Sequence, residues 1–334
     1  MLRVEGLVKR YGDVEAVRDV TFAVAPGSIY GFVGPNGAGK TTTLKVIATL
    51  LRPDAGRVFI GDVDVLQHPE EARTRLGYMP DFFGVYDNLR VDEYMQFYAD
   101  CYGVPTAGRD RLIGSLLELV DLADKREAYV DGLSRGMKQR LCLARCLVHD
   151  PDLLILDEPA SGLDPRARVE MREILQELRR RGKTILISSH ILAELAELCS
   201  HIGIIHAGRM VVSGPVEQIQ REAGARVIEV RLAGGLGTGP HGEAGAGHAQ
   251  GGADQPGAQG AVHPDTLATV MAVPGVRSVA VEDGALRVAM EGEDEAAAAL
   301  LAHLVRAGLP VVHFAEVKSK LEDVFMAITG GEEQ

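Results

Sequence analysis

The spacing of hydrophobic residues changes several times along the chain, and each change marks an element. The stretches LRVEGLVKRYG and AVRDVTFAVAPG alternate or run apolar with β-branched residues and close on glycine turns, so they read as N-terminal antiparallel strands. SIYGFVG is a short apolar strand; in the following GPNGAGKTTTLKVIATLL the glycines stop and helical spacing begins at Thr41. From Val91 to about Leu122 the pattern is helical, with Tyr94, Phe97, Tyr98, Leu112, Leu116, Leu117 and Leu119 at spacings of three and four, which predicts a helical insert. Ser134 is a good N-cap for a further helix that must stop before Pro151. LLILDEP and TILISSH are apolar without alternation, as strands buried on both faces are, and a helix from Arg166 to Arg181 lies between them. Strands alternating with helices predict an α/β core built on a parallel sheet.

Beyond Gly214 the character changes. The order strand (ARVIEVRL), helix (DTLATVMA), strand (VRSVAVE), an Asp283-Gly284 turn, strand (ALRVAM), helix (EAAAALLAHLVRAG) and strand (PVVHFAEV) is the βαββαβ order of a ferredoxin-like α+β unit. A tract from 233 to 261, rich in Gly, Ala, His and Gln, interrupts it after its first strand. Too few large apolar residues stand there to offset chain entropy, so a flexible loop is expected rather than a metal tract on His241 and His248. A last helix, KLEDVFMAITG, is expected to follow. The domains are therefore drawn at 1–220, with a helical subdomain at about 82–145, and at 226–330.

Composition narrows the class. The chain has 334 residues, 46% hydrophobic and 25% charged, which suits a large domain with a smaller appendage. A net charge of -12 offers no field for a phosphate backbone, so no nucleic-acid partner is expected. No apolar run approaches the roughly 20 residues of a membrane-crossing helix, and the N-terminus lacks a signal-peptide core, so a cytoplasmic location is expected. Cys101, Cys142, Cys146 and Cys199 have neither zinc-site spacing nor the density of a disulfide scaffold and are expected to be reduced.

The chemistry concentrates in two motifs. Gly34, Pro35, Asn36, Gly37, Ala38, Gly39, Lys40 and Thr41, followed by Thr42, fit the phosphate loop G-x-x-x-x-G-K-[ST] between a strand and a helix. Its glycines let successive N–H groups turn toward phosphates, Lys40 meets the β and γ phosphates, and Thr41 places its hydroxyl on Mg²⁺. The strand LLILDE ends in Asp157 and Glu158; the first carboxylate suits a magnesium shell and the second can polarise an attacking water. ATP and Mg²⁺ are the implied ligands.

Leu133-Ser134-Arg135-Gly136-Met137 just upstream resembles the ABC signature usually written LSGGQ. With Ser161-Gly-Leu-Asp164-Pro and with His190 closing TILISSH, residues 1 to about 220 resemble the nucleotide-binding domain of an ABC transporter. The resemblance implies a homodimer or paired cassette, in which Ser134 and Gly136 cap the γ-phosphate held by the opposite subunit, and it places Asp164 among the nucleotide-binding residues. It further implies that His190 contacts the γ-phosphate and that Tyr11 stacks on adenine; as a strand residue Tyr11 could instead pack the sheet. Glu158, His190 and Lys40 are thus the catalytic candidates, and Thr41, Asp157 and Asp81 the metal candidates.

Two positions depart from the family pattern. Arg135 replaces a glycine and Met137 a glutamine, adding bulk and charge at the dimer face and removing a polar contact. Asp81, in LGYMPD, stands where the family has a magnesium-sensing glutamine and has no N–H to donate. The ending Leu321-Glu-Asp-Val-Phe325 resembles that of ATPase subunits whose export permease is a separate polypeptide. The resemblance therefore implies an ATP-hydrolysing subunit that drives export through an integral membrane permease, peripheral on the inner face of the cell membrane. The alternative is a soluble ABC ATPase acting on ribosomes or DNA, a class that usually carries tandem cassettes or a long coiled-coil insert; one phosphate loop and neither feature stand here.

Overall fold

The computed structural model describes residues 1–81, 84, 88–192, 195, 197–222, 226–233, 264–282 and 284–317. It divides into two compact units, Met1–Val216 and Glu217–Gln334.

In the first unit β1 (Leu2–Tyr11) and β2 (Val14–Val24) form an antiparallel pair, and β3 (Ile29–Val33) runs into α1 (Lys40–Ile47). Then come β4 (Ala55–Ile60), β5 (Val63–Asp64), α2 (Pro69–Arg75), β6 (Leu76–Met79), α3 (Val91–Cys101), α4 (Arg109–Leu119) and α5 (Arg135–Cys146). The unit is completed by β7 (Leu153–Asp157), α6 (Pro165–Arg180), β8 (Thr184–Ser189), β9 (His201–His206) and β10 (Arg209–Pro215). One sheet is antiparallel, in the order β2-β1-β4-β5; the other has the order β10-β9-β3-β8-β7-β6, parallel from β9 to β6.

Every residue of β3, β7 and β8 is buried, which is why these strands read as unbroken apolar runs. Leu2, Val4, Leu7 and Phe22 from the antiparallel sheet share one core with Phe32, Ile155 and Leu186, and the Phe22 ring stacks on Tyr30 and Phe32 at 5.3 Å. Gly208 joins the sheets through its backbone: its N–H donates to Ala38 O at 3.0 Å and its carbonyl accepts from Arg18 N at 2.7 Å.

The single helical pattern expected from Val91 to Leu122 is two helices. Gly103, at φ 64, ends α3 by taking Asp100 O at 3.0 Å, and Val104 N takes Ala99 O at 2.9 Å. Pro105 stops renewed helix, and Arg109 fastens the connection by donating to Asp100 Oδ1 at 2.5 Å and to Val104 O. The Ser134 hydroxyl caps α5 by accepting from Met137 N at 3.3 Å.

In the second unit α7 (Val216–Glu222) leads to β11 (Arg226–Leu232), α8 (Pro264–Met271), β12 (Val276–Glu282), β13 (Ala285–Met290), α9 (Asp294–Arg306) and β14 (Val311–Val317). The sheet order β12-β13-β11-β14 is antiparallel throughout, the arrangement a βαββαβ chain gives, and Leu286, Val288, Leu300 and Leu304 share its core. The tract expected to loop lies outside the described residues from 234 to 261, as do Asp283 and the expected last helix with Leu321–Phe325. No helix among the described residues is long and apolar enough to cross a membrane.

Candidate functional site

The functional side chains gather at the carboxyl ends of the adjacent parallel strands β3, β8, β7 and β6, where α/β sheets open a crevice. A cavity of about 300 Å³ lies there. The phosphate loop supplies Pro35, Asn36, Gly37, Gly39, Lys40, Thr41 and Thr42 to its wall, and Asp81, Glu158 and His190 close it from the other strands.

Packing dictates the loop. A Cβ on Gly34 would stand 2.2 Å from Ile205 O, and one on Gly39 2.5 Å from Ala16 O; Gly39 also has φ 105, a backbone region that suits glycine. This turn leaves the first N–H groups of α1 without acceptors inside the helix and points the positive end of the helix into the cavity. Lys40 is 6% exposed, and its ammonium donates to Gly34 O at 2.6 Å and to Pro35 O at 3.2 Å. The charge is therefore curled back over its own loop, at the mouth of the anion-binding turn.

The carboxylates differ in surroundings. Asp157 is fully buried; Ser188 Oγ donates to its Oδ1 at 2.7 Å, while Oδ2 lacks a hydrogen bond of ordinary geometry. Burial pushes the Asp157 carboxyl above the usual range, the hydroxyls of Ser188 and Thr41 pull it back, and the charges of Asp81 and Glu158 raise it further. Glu158 follows the strand at φ 50, an uncommon backbone for a side chain of its size, and its N–H donates to Ser188 Oγ at 3.0 Å. Its Oε1 stands 3.5 Å from Lys40 Nζ and its Oε2 2.8 Å from His190 Nδ1. An ionised carboxylate can only accept, so Nδ1 carries the proton.

This donor set fits a nucleotide triphosphate with a divalent cation. The loop is held in its turn because a Cβ at Gly34 or Gly39 would collide with the backbone packed against it, and the buried Asp157 oxygen without a hydrogen bond of ordinary geometry, with the Thr41 hydroxyl beside it, offers hard-cation ligands. No group of three His, Cys, Asp or Glu side chains able to hold a metal occurs among the described residues, so such a cation would complete its shell with phosphate oxygens and water.

Other expected residues stand apart from this cavity. Ser134 and Gly136 begin α5 and do not line it; Asp164 caps α6, its Oδ1 accepting from Ala167 N at 2.8 Å, and does not line it either. Tyr11 ends β1 with its side chain half exposed, under the ammonium of Lys9 at 5.8 Å, and is likewise outside the wall. Gly34 and Ala38 shape the loop from beneath. Conversely, Ala16 and Ser161 line the cavity without having been expected there, and Ser188 supports the Asp157 carboxylate and the backbone N–H of Glu158. Ser188 and Ser189 sit side by side in a fully buried strand, and nothing in the spacing of TILISSH says which faces Asp157.

Comparison with known proteins agrees with this geometry. Residues 17–161 match the family described as ABC transporter, and residues 259–329 match the C-terminal domain of DrrA1-3-like ATP-binding proteins. The chain is 44% identical over 223 residues to Nod factor export ATP-binding protein I of Burkholderia orbicola (strain AU 1054), covering 66% of this chain and 73% of that one. It is 41% identical over 231 residues to the protein of the same name from Ralstonia nicotianae (strain ATCC BAA-1114 / GMI1000), covering 69% and 72%. Among solved structures it resembles an ATP-binding subunit of an ABC transporter, with TM-score 0.61, 33% identity and coverage of 66% and 92%. It also resembles CbiO1 of Clostridium perfringens, part of the ABC transporter complex CbiONQ, with TM-score 0.60, 25% identity and coverage of 66% and 90%. The chain belongs to the family of ABC transporter ATP-binding subunits, which bind and hydrolyse ATP.

Proposed function

We propose that this subunit drives export through a membrane-spanning permease carried on a separate polypeptide, and that it works as a pair of cassettes. The export-type relatives and the C-terminal match support the direction. The observation that carries the catalytic part is the contact chain from Lys40 through Glu158 to His190 across the mouth of one cavity.

Glu158 is the general base in this reading. His190 Nδ1 holds one oxygen of its carboxylate, which fixes the plane of the group and leaves the other oxygen for a water. Lys40 lies between that oxygen and the loop carbonyls, so γ-phosphate oxygens entering the loop compete for the ammonium and release Glu158 toward the water. Thr41 and Asp157 would hold Mg²⁺, and Asp81, which lines the same cavity and bears electrostatically on Asp157, is a further candidate ligand. Magnesium, when bound, supplies positive charge against the β and γ phosphates. Ser134 and Gly136, standing apart from this chain's own cavity, serve the nucleotide of the paired cassette, and Tyr11 offers its exposed ring to adenine.

Replacing Glu158 by Gln removes the base while leaving the phosphate loop intact. Turnover is expected to fall about 10²–10⁴-fold, with ATP binding retained. The measurement is steady-state phosphate release beside equilibrium binding of a fluorescent ATP analogue. Turnover at the wild-type rate in Glu158→Gln would remove Glu158 from the role.

A further inference from the structure

The arginine that replaces a signature glycine does not point away from the molecule. Arg135 lays its guanidinium on Gly162 of the same chain: a Cβ built on Gly162 would stand 2.5 Å from Arg135 Cζ, 2.7 Å from Nη1 and 2.8 Å from Nη2. Gly162, at φ 69, is the residue type that accepts both that backbone and that contact. One turn further along α5, Gln139 is buried to 1% exposure, and its Nε2 donates to Ser161 O at 3.0 Å. Side chains four apart on a helix share a face, so α5 holds two consecutive residues of the facing loop.

The Gln139 contact is costly to keep. Its Oε1 is buried without a hydrogen bond, so the amide gives up solvation at both ends and recovers it at one. An apolar residue would fill the same space more favourably; what Gln139 adds is the bond to the loop. Ser161 in turn lines the ATP cavity, and its N–H donates to Glu158 O at 3.0 Å. A continuous line of contacts therefore runs from the first turn of α5 through Ser161 to the backbone of Glu158.

We propose that Arg135 and Gln139 are positioning residues for ATP hydrolysis, tying the start of the signature helix to the loop Ser161–Gly162 of the same chain and through it holding Glu158. This rests on Glu158 acting as the base. Because Ser134 at the head of the same helix serves the paired cassette's nucleotide, docking there is felt at this chain's own Glu158. The arginine thus holds a loop of its own chain instead of only adding bulk and charge at the dimer face.

The test uses the full chain with Gln139→Met, which conserves volume and removes the donor, and Arg135→Ala, which truncates an exposed side chain. Losing a bond of this kind should lower kcat about five- to tenfold, with KM for ATP within about twofold, and speed amide exchange at Ser161 by a similar factor. Arg135→Ala should do the same more weakly, and the double variant should lose less than the product of the singles because both act on one loop. Unchanged exchange at Ser161 in Gln139→Met, or an unchanged kcat, overturns the proposal. Should Gln139→Met not fold, Arg135→Ala carries the same two readouts. Glu158→Gln run alongside separates the failures: full turnover there removes the base itself, whereas its loss beside wild-type behaviour of both α5 variants removes only the tie.

Discussion

Ser188→Ala tests how the Asp157 carboxylate and the backbone of Glu158 are held. One hydroxyl both donates to Asp157 Oδ1 at 2.7 Å and accepts from Glu158 N at 3.0 Å, in a residue that is fully buried. The alanine leaves a charged acceptor and a backbone donor short of partners, together about 3 kcal/mol. For a domain of this size that corresponds to a melting shift of about 6–12 °C. The pH dependence is specific. Burial raises the folded-state value of Asp157 above its unfolded one, so the fold favours the protonated acid: that contribution is full below the unfolded value of about 3.9 and is lost as pH rises through the folded value. Ser188 is the largest of the influences opposing the rise, so its removal lifts the folded value further and widens the window in which ionisation costs stability. The variant's deficit should therefore be larger at pH 7.5 than at pH 5. Urea unfolding followed by circular dichroism is suitable, since the chain has no tryptophan. Ser189→Ala is the control, because Ser189 Oγ accepts from Ile191 N and its loss should not vary with pH in this way. Equal urea midpoints for wild type and Ser188→Ala at pH 7.5, or a larger deficit at pH 5, would refute the reasoning.

Gly39→Ala combines a left-handed backbone with a Cβ 2.5 Å from Ala16 O, so binding of a fluorescent ATP analogue should weaken at least about tenfold; unchanged affinity would mean the loop adapts freely. His190→Asn keeps an N–H near the place of Nδ1 and should retain more turnover than His190→Ala, and equal rates would deny that the contact to Glu158 matters. For Asp81, which lines the cavity and bears electrostatically on Asp157, Asp81→Ala should raise the magnesium concentration needed for half-maximal turnover while Asp81→Gln keeps much of the activity; three superimposable magnesium titrations would leave Asp81 a turn residue.

What could be read from the chain alone follows the reach of its contacts. The phosphate loop and the strand ending in Asp157 and Glu158 are local chemistry: the glycines, lysine and carboxylates that act are adjacent in sequence. The buried strands were legible because parallel strands covered on both faces lose alternation. The break between α3 and α4 carried its signal in Gly103 and Pro105, but the apolar spacing ran through it and outweighed the punctuation. Ala16, Ser161 and Ser188 were not legible as site residues, because their parts depend on which distant backbone they meet. The same holds for Arg135: its sequence position says that a glycine is missing, and only the approach of Gly162 says where the guanidinium goes.

The strand that feeds the phosphate loop has a consequence for the birth of the protein. β3, every residue of it buried, pairs on one side with β8 and on the other with β9, Ile29 facing Ile185 and Tyr30 facing His201. A chain emerging from the ribosome therefore carries IYGFV with both edges open until β8 and β9 have been made. The strand leading into the nucleotide seat is made well before either of its neighbours, and in that interval an apolar strand with two unpaired edges is open to association with other chains.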